Sequence, residues 1–346
     1  MPFIQNKDFS GHYINYKTDY FIPNEIAIRF PQILLNEKCL LISISGSIGK
    51  VAVFNHSQDA FIGGAIAVLK FKEKKSLDFV MHFLMSASGQ KLLLNGVKSG
   101  SHKNLTIADL RDLLIPLPPL NEQIAIANIL SDVDHYLYSL RALILKKESV
   151  KKALSFELLS QRKRLKGFNQ TWQRVRLGDI CEITTGSLDA NEMVHYGKYR
   201  FYTCAKEYYF IDKYAFDTEA ILISGNGAYV GYVHYYKGKF NAYQRTYVLD
   251  NFSEHIIFVK YFLTMFLQSH IQTNKNEGNT PYIVMAILKD FEILLPPLNE
   301  QIAIANILSD LDNEIISLKN KKRQFDNIKK ALNHDLMSTK IRVLNK

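Results

Sequence analysis

The amino-acid sequence predicts an α/β protein in which two mixed α/β globular domains are separated by two long helices that pair as an antiparallel coiled coil. The first observation is that LPPLNEQIAIANILSD occurs twice, at residues 117–132 and at residues 295–310. Each copy follows a region of short strand-like runs and opens a long stretch with helical apolar spacing. A period this long indicates a duplicated domain with its connector rather than a solenoid. We therefore expect the two halves to be related as a pseudo-twofold repeat.

The composition is that of a folded soluble protein rather than a disordered one. A chain of 346 residues with 47% hydrophobic and 12% aromatic content can form two domains. Its apolar runs are too short to span a bilayer, and its N-terminus lacks the features of a secretion signal. The cysteines Cys39, Cys181 and Cys204 are scattered, which favours a reduced cytoplasmic compartment and no structural zinc. A net charge of +10 favours a nucleic-acid partner, with solubility alone as the alternative.

Each globular domain combines strands and helices. Residues 39–44 and 220–223 are short β-branched runs next to glycine-rich turns, which is typical of strands. Residues 77–84 and 256–267 carry helical apolar spacing instead. The two prolines that follow each domain exclude helix, and the Asn-Glu-Gln after them favours a helix N-terminus.

The repeat extends beyond the shared motif, but only as scattered matches. The matching pairs are residues 44–46 with 223–225, residues 79–84 with 258–263, and the loops 100–105 with 278–283. Between these anchors the two copies share a pattern but few letters. The connectors are therefore nearly identical, while the domains that they follow differ in their side chains.

Both connectors show the alternating steps of four and three that define a coiled-coil seam. The first predicted seam consists of Ile126, Leu130, Val133, Leu137, Leu140, Ile144, Leu154 and Leu158, with Lys147 and Lys151 at the skipped positions. The second consists of Ile304, Leu308, Leu311, Ile315, Leu318, Phe325, Leu332 and Leu336, interrupted by Lys322 and Lys329. A helix of forty residues spans about 60 Å, and an exposed apolar stripe requires a partner. The nearest partner is the other copy, and the alternative is that each helix folds back on its own domain.

With these features the chain resembles the specificity subunit of a type I restriction-modification system. The resemblance is carried by Pro118-Pro-Leu-Asn-Glu-Gln123 and Pro296-Pro-Leu-Asn-Glu-Gln301, each between a target recognition domain and a long conserved helix. It implies target recognition domains at residues 1–118 and 167–296, and conserved helices at residues 119–166 and 297–346. Arg176-Leu-Gly-Asp-Ile-Cys-Glu-Ile-Thr-Thr-Gly186 resembles the opening of such a domain and has no counterpart in the first domain, which is therefore expected to lack its opening strand.

The resemblance implies a protein that recognises DNA and catalyses nothing itself. Each domain would read one part of a bipartite asymmetric site in double-stranded DNA, and the helices would hold the domains apart. Two modification (methyltransferase) subunits would bind the chain with S-adenosylmethionine, and restriction subunits would bring ATP and Mg²⁺. No cofactor is expected on this chain. The alternatives are a self-associating coiled-coil scaffold, or a truncated specificity cassette without full DNA recognition of its own.

The residues themselves contain no persuasive catalytic grouping. Gly46-Ser-Ile-Gly49-Lys50 is not a P-loop, because the four-residue gap before Gly-Lys-Ser/Thr is missing. The ten histidines have no metal-binding spacing. A DNA methyltransferase would need a polar residue before Pro-Pro and an aromatic residue after it, and Leu-Pro-Pro-Leu has neither. The sequence therefore predicts no catalytic residue and no metal site.

Candidate DNA-binding residues lie in a strand-like segment and in the predicted loops. Gln244 and Arg245 can form two-pronged contacts with adenine and guanine, contact phosphate, or serve the structure through an acidic neighbour of Arg245. Their counterpart in the first domain, Gly63-Gly-Ala65, carries neither group. The remaining candidates, in turns and loops where recognition concentrates, are Ser47, Lys50, Ser101, His102, Lys103, Asn226, Tyr229, Asn279 and Thr280. Their alternative role is that of ordinary solvated polar residues.

Partner docking is expected on the repeated helices. The candidates are Glu122, Gln123 and Leu137 in the first copy, and Glu300, Gln301 and Ile315 in the second. Glutamate at a helix start can equally be a capping group. We interpret the basic clusters along both helices as a solvated face in the first place. The second interpretation is a contact for DNA phosphates or for an acidic partner.

Overall fold

The computed structural model describes residues 1–95, 104–274, 281–338 and Val343. The chain divides into two compact units: unit 1 consists of residues 1–142 and 320–346, and unit 2 of residues 143–319. Each unit contains one globular domain together with a part of both long helices.

Unit 1 consists of short strands and helices followed by the start of a long helix. Its strands are β1 (Phe3–Ile4), β2 (Phe9–Ser10), β3 (Tyr13–Ile14), β4 (Leu34–Leu35), β5 (Cys39–Ser43), β6 (Val51–Phe54), β7 (Ala60–Ile62) and β8 (Ile66–Leu69). Its helices are α1 (Asn24–Ala27), α2 (Leu77–Met85), α3 (Ala87–Asn95), α4 (Ile107–Arg111) and the first part of α5 (Leu120–Leu159). The predictions for residues 39–44 and 77–84 are confirmed within one residue at each end.

One sheet of unit 1 has β5 at its centre. Among the described residues, β5 lies between β6 and β8 with both pairings antiparallel, and a second sheet has the order β1-β7-β4. Every residue of β5 is buried, as expected for a continuous apolar run in a central strand. Helix α2 packs on this sheet, and Ile126 and Leu130 of α5 join the same apolar cluster as Leu336 and Met337. The core of the first domain is therefore completed by the repeated helices.

Unit 2 repeats this plan with longer strands. Its strands are β9 (Gln173–Arg176), β10 (Glu182–Thr185), β11 (Tyr199–Tyr202), β12 (Tyr209–Ile211), β13 (Phe216–Ser224), β14 (Val233–Ala242), β15 (Thr246–Asp250) and β16 (Glu292–Leu295). Its helices are α6 (Leu177–Ile180), α7 (Ile256–Asn274), α8 (Met285–Lys289) and the first part of α9 (Leu298–Met337). The strand predicted at residues 220–223 lies inside β13, and the helix predicted at residues 256–267 continues to Asn274.

One six-stranded sheet organises unit 2. Its order is β10-β15-β13-β14-β11-β12, and a separate pair is formed by β16 and β9. Parallel pairing of β11 with β14 in unit 2 matches the parallel pairing of β1 with β7 in unit 1. Residues 3–4 of unit 1 therefore correspond to the strand that contains residues 200–202 in unit 2.

The two long helices run antiparallel in both units. In unit 1, Lys329 is paired with Asp134 and the rings of Tyr136 and Phe325 lie 4.6 Å apart. In unit 2, the carboxylate of Glu314 lies 2.8 Å from the Lys147 ammonium. Every predicted seam residue, including the four interrupting lysines, is buried or half-buried. The antiparallel coiled coil is therefore confirmed within each unit.

Helix α5 ends earlier than predicted, at Leu159 rather than at residue 166. Gln161 has a φ of 62°, a left-handed conformation that a helix cannot continue through. The chain turns there because the guanidinium of Arg164 binds the buried carboxylate of Glu300 at 2.6 Å. This contact directs the chain from the helix into β9.

The two domains correspond in a different register from the one that their shared residues indicate. We predicted that residues 44–46 match residues 223–225. In the structure, the Ile44 amide donates to Ala65 O and the Gly225 amide donates to Arg245 O, so Ile44 corresponds to Gly225. The shared Ile-Ser letters are therefore a coincidence of composition, and the backbone hydrogen bonds define the correspondence.

The two domains differ most where the opening strand of unit 2 lies. Strands β9 and β10 pair with β16 and β15, whereas the corresponding edges of unit 1, residues 113–117 and β8, have no such strand among the described residues. Leu117 is consequently 58% exposed, while its counterpart Leu295 is 6% exposed. The described part of the first domain therefore contains no counterpart of β9 and β10, and the expected lack of its opening strand stays a prediction.

Candidate nucleic-acid interface

Three segments of unit 2 meet at one end of its sheet. They are the turn between β13 and β14, the turn between β14 and β15, and the segment that precedes α8. The Gly225 amide donates to Arg245 O at 2.9 Å, and the Ile283 amide donates to Gly225 O at 2.9 Å. Below them, the Tyr247 hydroxyl donates to Ile283 O at 2.8 Å. Loops joined by backbone hydrogen bonds provide a rigid base for the side chains that they expose.

Gly225 allows this close approach. A Cβ atom at this position would lie 2.3 Å from Arg245 O and 2.9 Å from the Tyr247 ring. Any other residue would push the two turns apart. The glycine-rich turn that the sequence showed is therefore required by the contact between loops.

Gln244 and Arg245 lie at the mouth of an open cleft with a volume of about 370 Å³. The cleft is lined by Gly225, Gln244, Arg245, Tyr247, Tyr282, Ile283 and Val284. We predicted that Gln244 and Arg245 occupy a strand-like segment, which is wrong: both form the exposed turn between β14 and β15. The segment turns because it carries the chain from β14, on one side of β13, to β15, on the other side. Both side chains can thus reach a ligand that lies across the end of the sheet.

No acidic side chain of the described residues lies within 4 Å of the Arg245 guanidinium. The described structure therefore does not contain the internal ion pair that was the alternative role of Arg245. Burial raises the pKa of the neighbouring Tyr247, and the charge of Arg245 opposes that rise. An exposed cation without an internal acidic partner is available for phosphate or for a base edge.

The other described candidates of unit 2 lie on the same turns. Asn226 is half-buried and forms a β-bridge with Tyr282, which itself is 37% exposed. Tyr229 is 43% exposed, and the Lys206 ammonium lies 5.2 Å from its ring centre. Tyr229 and Lys206 thus present an aromatic ring and a positive charge together.

An aromatic strip that the sequence analysis missed continues this surface. We define it as Tyr208, Phe210 and Tyr232, which are each 37–39% exposed. Ring contacts of 4.7–6.1 Å connect them through His234 and the buried Tyr202. The signal was present as the run Tyr208-Tyr-Phe210, but only the folding of β11, β12 and β14 into one sheet places Tyr232 beside it.

Unit 1 has the same platform with smaller side chains. The Leu105 amide donates to Ile44 O at 2.9 Å, just as the Ile283 amide donates to Gly225 O. Gly64 and Ala65 occupy the positions of Gln244 and Arg245, which follows from the matching hydrogen bonds to Ala65 O and Arg245 O. The prediction that the two domains present different groups at this turn is therefore confirmed.

The predicted residues of unit 1 lie in the turn between β5 and β6. Ser47 and Lys50 are both exposed. Lys50 borders a shallow groove of about 360 Å³ together with Gly49 and Gln90. The Gln90 side chain donates to Gly49 O at 2.9 Å. This hydrogen bond holds the β5–β6 turn against the first turn of helix α3. Ser47 and Lys50 thus lie on the turn that corresponds to the β13–β14 turn of unit 2, which carries Asn226 and Tyr229.

Five further candidates cannot be placed. Ser101, His102, Lys103, Asn279 and Thr280 lie outside the residues that the structure describes. They remain predictions.

The predicted docking residues of α9 are internal, which corrects their assignment. Glu300 is fully buried; it accepts hydrogen bonds from Trp172 Nε1 at 3.0 Å and from Arg164. Gln301 is 1% exposed and donates to Pro296 O at 2.9 Å, while its oxygen accepts from the His255 amide. A partner cannot contact side chains that are enclosed by their own unit. Their role is to hold the Pro-Pro corner and the start of the helix against the domain.

The docking residues of α5 lead to the same correction. Glu122 and Gln123 are 4% and 5% exposed, and the Gln123 side chain donates to Pro118 O at 2.7 Å. Leu137 is half-buried and Ile315 is 5% exposed, as their seam positions require. The large apolar side chains that these helices do expose are Ile129, Tyr138, Leu143, Leu145, Val150 and Phe156 on α5, and Leu298, Ile302, Ile316 and Ile328 on α9.

Within the described residues, no group of three or more His, Cys, Asp or Glu side chains is arranged to hold a metal ion. The helices in that part of the chain include none with the length and apolar character needed to cross a bilayer.

Comparison with known proteins identifies the fold and its relatives. Residues 1–148 and 169–325 match the family model of the type I restriction modification DNA specificity domain. The specificity subunit of the EcoDI type I restriction enzyme of Escherichia coli is 38% identical over 170 residues, which cover 48% of this chain and 37% of that protein. The MjaVIII specificity subunit of Methanocaldococcus jannaschii is 24% identical, with 98% of this chain and 88% of that protein covered.

A solved structure has the same fold. The crystal structure of a type I restriction-modification S subunit from M. genitalium superposes with a TM-score of 0.66 and 20% sequence identity. The superposition covers 87% of this chain and 83% of that chain.

Proposed function

Since the chain belongs to the type I restriction-modification DNA specificity family, we propose that it reads a bipartite, asymmetric DNA sequence with one half-site for each domain. The observation that carries this proposal is the shared loop platform with exchanged side chains. Gln244 and Arg245 stand in unit 2 where Gly64 and Ala65 stand in unit 1. Binding to phosphate alone would not require the two turns to differ.

In unit 2 the recognition chemistry would be divided between the turn and the aromatic strip. Arg245 and Gln244 match the hydrogen-bonding edges of guanine and adenine in the major groove. Lys206 and the exposed rings beside it offer a positively charged surface for the backbone. In unit 1, Lys50 and Ser47 offer shorter polar groups, and so we expect the first half-site to be read through different bases.

The chain would act without catalysis of its own, as part of a larger assembly. We infer two modification subunits that supply S-adenosylmethionine chemistry, and restriction subunits that supply ATP- and Mg²⁺-dependent cleavage, all in the cytoplasm where genomic DNA lies. The exposed apolar residues of the long helices are better candidates for docking than the buried Glu-Gln pairs. Leu145, Val150 and Ile316, which are 46–57% exposed, form the first choice in unit 2.

The alternative of a self-associating coiled-coil scaffold has less support. The seam residues of both helices are already buried or half-buried within a single chain. A second copy would therefore find no unpaired seam to bind.

The proposal is tested by co-expression with the modification subunits, followed by mapping of methylated adenines across a genome. Arg245→Ala and Gln244→Ala should each relax or abolish one half of the methylated motif, at a cost of about 1–3 kcal/mol for a lost two-pronged contact, and leave the other half unchanged. Arg174→Ala provides a charge-matched control, since Arg174 is an exposed residue of β9 whose guanidinium pairs with Glu292 of β16.

Two outcomes would contradict the proposal. A uniform loss of binding across all sequences, with a shallower salt dependence, would make Arg245 a phosphate contact. A change in both half-sites would show that the two domains do not read DNA separately.

A further inference from the structure

The cleft beside Arg245 has an apolar wall. Ile283 is 3% exposed and belongs to the core of unit 2. On either side of it, Tyr282 forms a β-bridge and Val284 has extended backbone angles, so both side chains point away from that core. They are 37% and 41% exposed, and both line the cleft. A ligand that contacts Arg245 therefore meets apolar side chains next to the cation.

The corresponding segment of unit 1 is polar at both exposed positions. The match follows from the equivalent backbone hydrogen bonds of Leu105 and Ile283 to the preceding turns. The equivalent residues are Asn104 and Tyr282, Leu105 and Ile283, and Thr106 and Val284. Asn104 and Thr106 are exposed, and Leu105 is buried. The buried position has thus remained apolar, while the two positions that face the ligand have changed from polar to apolar.

Val284 stands where a polar residue would stabilise the protein. It is the N-cap of α8, where the first helical amides need an acceptor, and a valine side chain offers none. In unit 1 the Thr106 hydroxyl accepts from the Asp109 amide at 3.1 Å, and the Asp109 carboxylate accepts from the Thr106 amide at 2.8 Å. Valine has a methyl group where threonine has this hydroxyl. Unit 2 therefore exposes a methyl group in the cleft at a position where helix capping favours a hydroxyl.

The apolar group that DNA offers to such a wall is the C5-methyl group of thymine. It projects from the base edge into the major groove, beside the donors and acceptors that glutamine and arginine side chains read. Phosphate and sugar oxygens would instead favour the polar residues of unit 1 at these positions. An apolar wall next to Arg245 therefore fits a base edge that carries a methyl group.

We propose that Tyr282 and Val284 contact the C5-methyl group of a thymine in the half-site read by unit 2. Val284 is then a specificity-determining residue that distinguishes thymine from a base without this methyl group. The inference rests on the proposed function, because it names a base group that is read in the cleft assigned to DNA.

Replacement of thymine by deoxyuridine tests this contact, because uracil lacks only the methyl group. The full chain, purified with its modification subunits, is titrated with DNA that carries the mapped site, and each thymine of the site is replaced in turn. One replacement should weaken binding about fourfold, the factor expected when one buried methyl group is removed. In Val284→Ser, which removes both valine methyl groups, the penalty at that thymine should fall below about 1.5-fold, and the penalties at other thymines should persist.

Two controls separate this role from a structural one. Serine is a favourable N-cap residue, so Val284→Ser should unfold at a urea concentration no lower than the original chain does. A merely structural role would lower this midpoint instead. Val175→Ser makes the same exchange on β9, outside the described lining of the cleft, and should retain the full deoxyuridine penalty.

Two results would overturn this inference alone. The first is a set of deoxyuridine penalties that are equal in the original chain and in Val284→Ser. The second is weaker binding of the modification subunits by Val284→Ser with an unchanged penalty, which would make the apolar wall a protein contact. In both cases the original chain would still prefer its site over random DNA. Loss of that preference in the original chain would refute the proposed function, and this inference with it.

Discussion

The helix pair of unit 1 and the helix pair of unit 2 contain the same ion pair in different surroundings. In unit 1, Lys329 of α9 binds Asp134 of α5; in unit 2, Lys151 of α5 binds Asp312 of α9. The roles of the two helices are exchanged because the repeated letters place an aspartate on each. The lysines are those that interrupted the apolar seam in the sequence. Their charges are thus used inside the coiled coil, where such polar pairs specify register.

The surroundings of the two ion pairs differ. The Asp134 side chain is 7% exposed, with His12 at 3.7 Å and the buried His82 nearby. In unit 2, the Asp312 side chain is 29% exposed and accepts a hydrogen bond from the Tyr261 hydroxyl at 2.6 Å. Burial raises the pKa of Asp312, but the hydrogen bonds from Lys151 and Tyr261 outweigh it, and the net result is a lowered pKa.

A second position shows the same divergence. The rings of Tyr136 and Phe325 are in contact in unit 1, whereas Lys147 and Glu314 form an ion pair at the corresponding place in unit 2. An identical backbone frame therefore tolerates either chemistry. The repeated residues therefore specify how the two helices pair, while the divergent residues decide how strongly the helices are held together in each unit.

The largest expected effect comes from removing the lysine of each ion pair. Lys329→Ala should lower the free energy of unfolding by about 3 kcal/mol, because it leaves a buried carboxylate without its partner. Lys151→Ala should cost about 1 kcal/mol, because Asp312 is more exposed and keeps the Tyr261 hydrogen bond. Urea denaturation at pH 8 measures both, with Lys330→Ala as the exposed neighbouring control. Equal losses in the two variants would refute the difference in surroundings.

A smaller effect concerns the pH dependence of unit 1. Burial lowers the pKa of His82 to about 4, with Lys329 and His12 acting in the same direction and Asp134 opposing them. As the pH falls, the unfolded chain therefore takes up a proton on His82 at a higher pH than the folded chain does. The free energy of unfolding has its full value above about pH 6.5 and decreases as the pH falls toward 4. His82→Tyr, which introduces the residue of unit 2, should remove about 2 kcal/mol of this pH-dependent loss.

Denaturation midpoints between pH 4.5 and pH 7.5 measure this slope. Some slope should remain in His82→Tyr, because burial also lowers the pKa of His12. His195→Gln, an exposed histidine in unit 2, should leave the slope unchanged. A His82→Tyr curve that parallels the original would mean that His82 does not titrate in this window.

The smallest expected effect is a difference in salt dependence between the ring pair of unit 1 and the ion pair of unit 2. Phe325→Ala should cost about 1–2 kcal/mol irrespective of salt, since it removes half-buried apolar contact. Lys147→Ala should cost less than about 1 kcal/mol, and the cost should vanish in 1 M salt. Parallel urea titrations at low and high salt test this. A salt-dependent loss in Phe325→Ala, or a salt-independent one in Lys147→Ala, would reverse the assignment.

Much of the architecture could be predicted because it depends on local periodicity. The repeated motif, the steps of four and three, and the Pro-Pro corners predicted both 40-residue helices and their antiparallel pairing. Glycine-rich turns predicted where the exposed loops lie. These features follow from spacing along the chain, which is visible without a structure.

The predictions that proved wrong concern residues whose neighbours are distant in sequence. Glu300 was expected at a docking surface, but Trp172 and Arg164 enclose it, and no local pattern connects these three positions. Gln244 and Arg245 were placed in a strand, whereas they form a turn because β14 and β15 pair with opposite sides of β13. In each case a long-range contact overrode what the nearby residues indicated.

The sequence by itself thus determined the repeat, the two long helices and the face by which they pair, because amphipathic spacing dictates which side of a helix is buried. Only the tertiary structure decided which residues of that pattern remain available to a ligand. Burial depends on what packs from elsewhere in the chain: Glu300 is enclosed, Arg245 is exposed without an acidic partner among the described residues, and Lys329 lies inside the helix pair. The free energy of each of these side chains is set by its neighbours in space, and those neighbours are decided when the sheet and the helices come together.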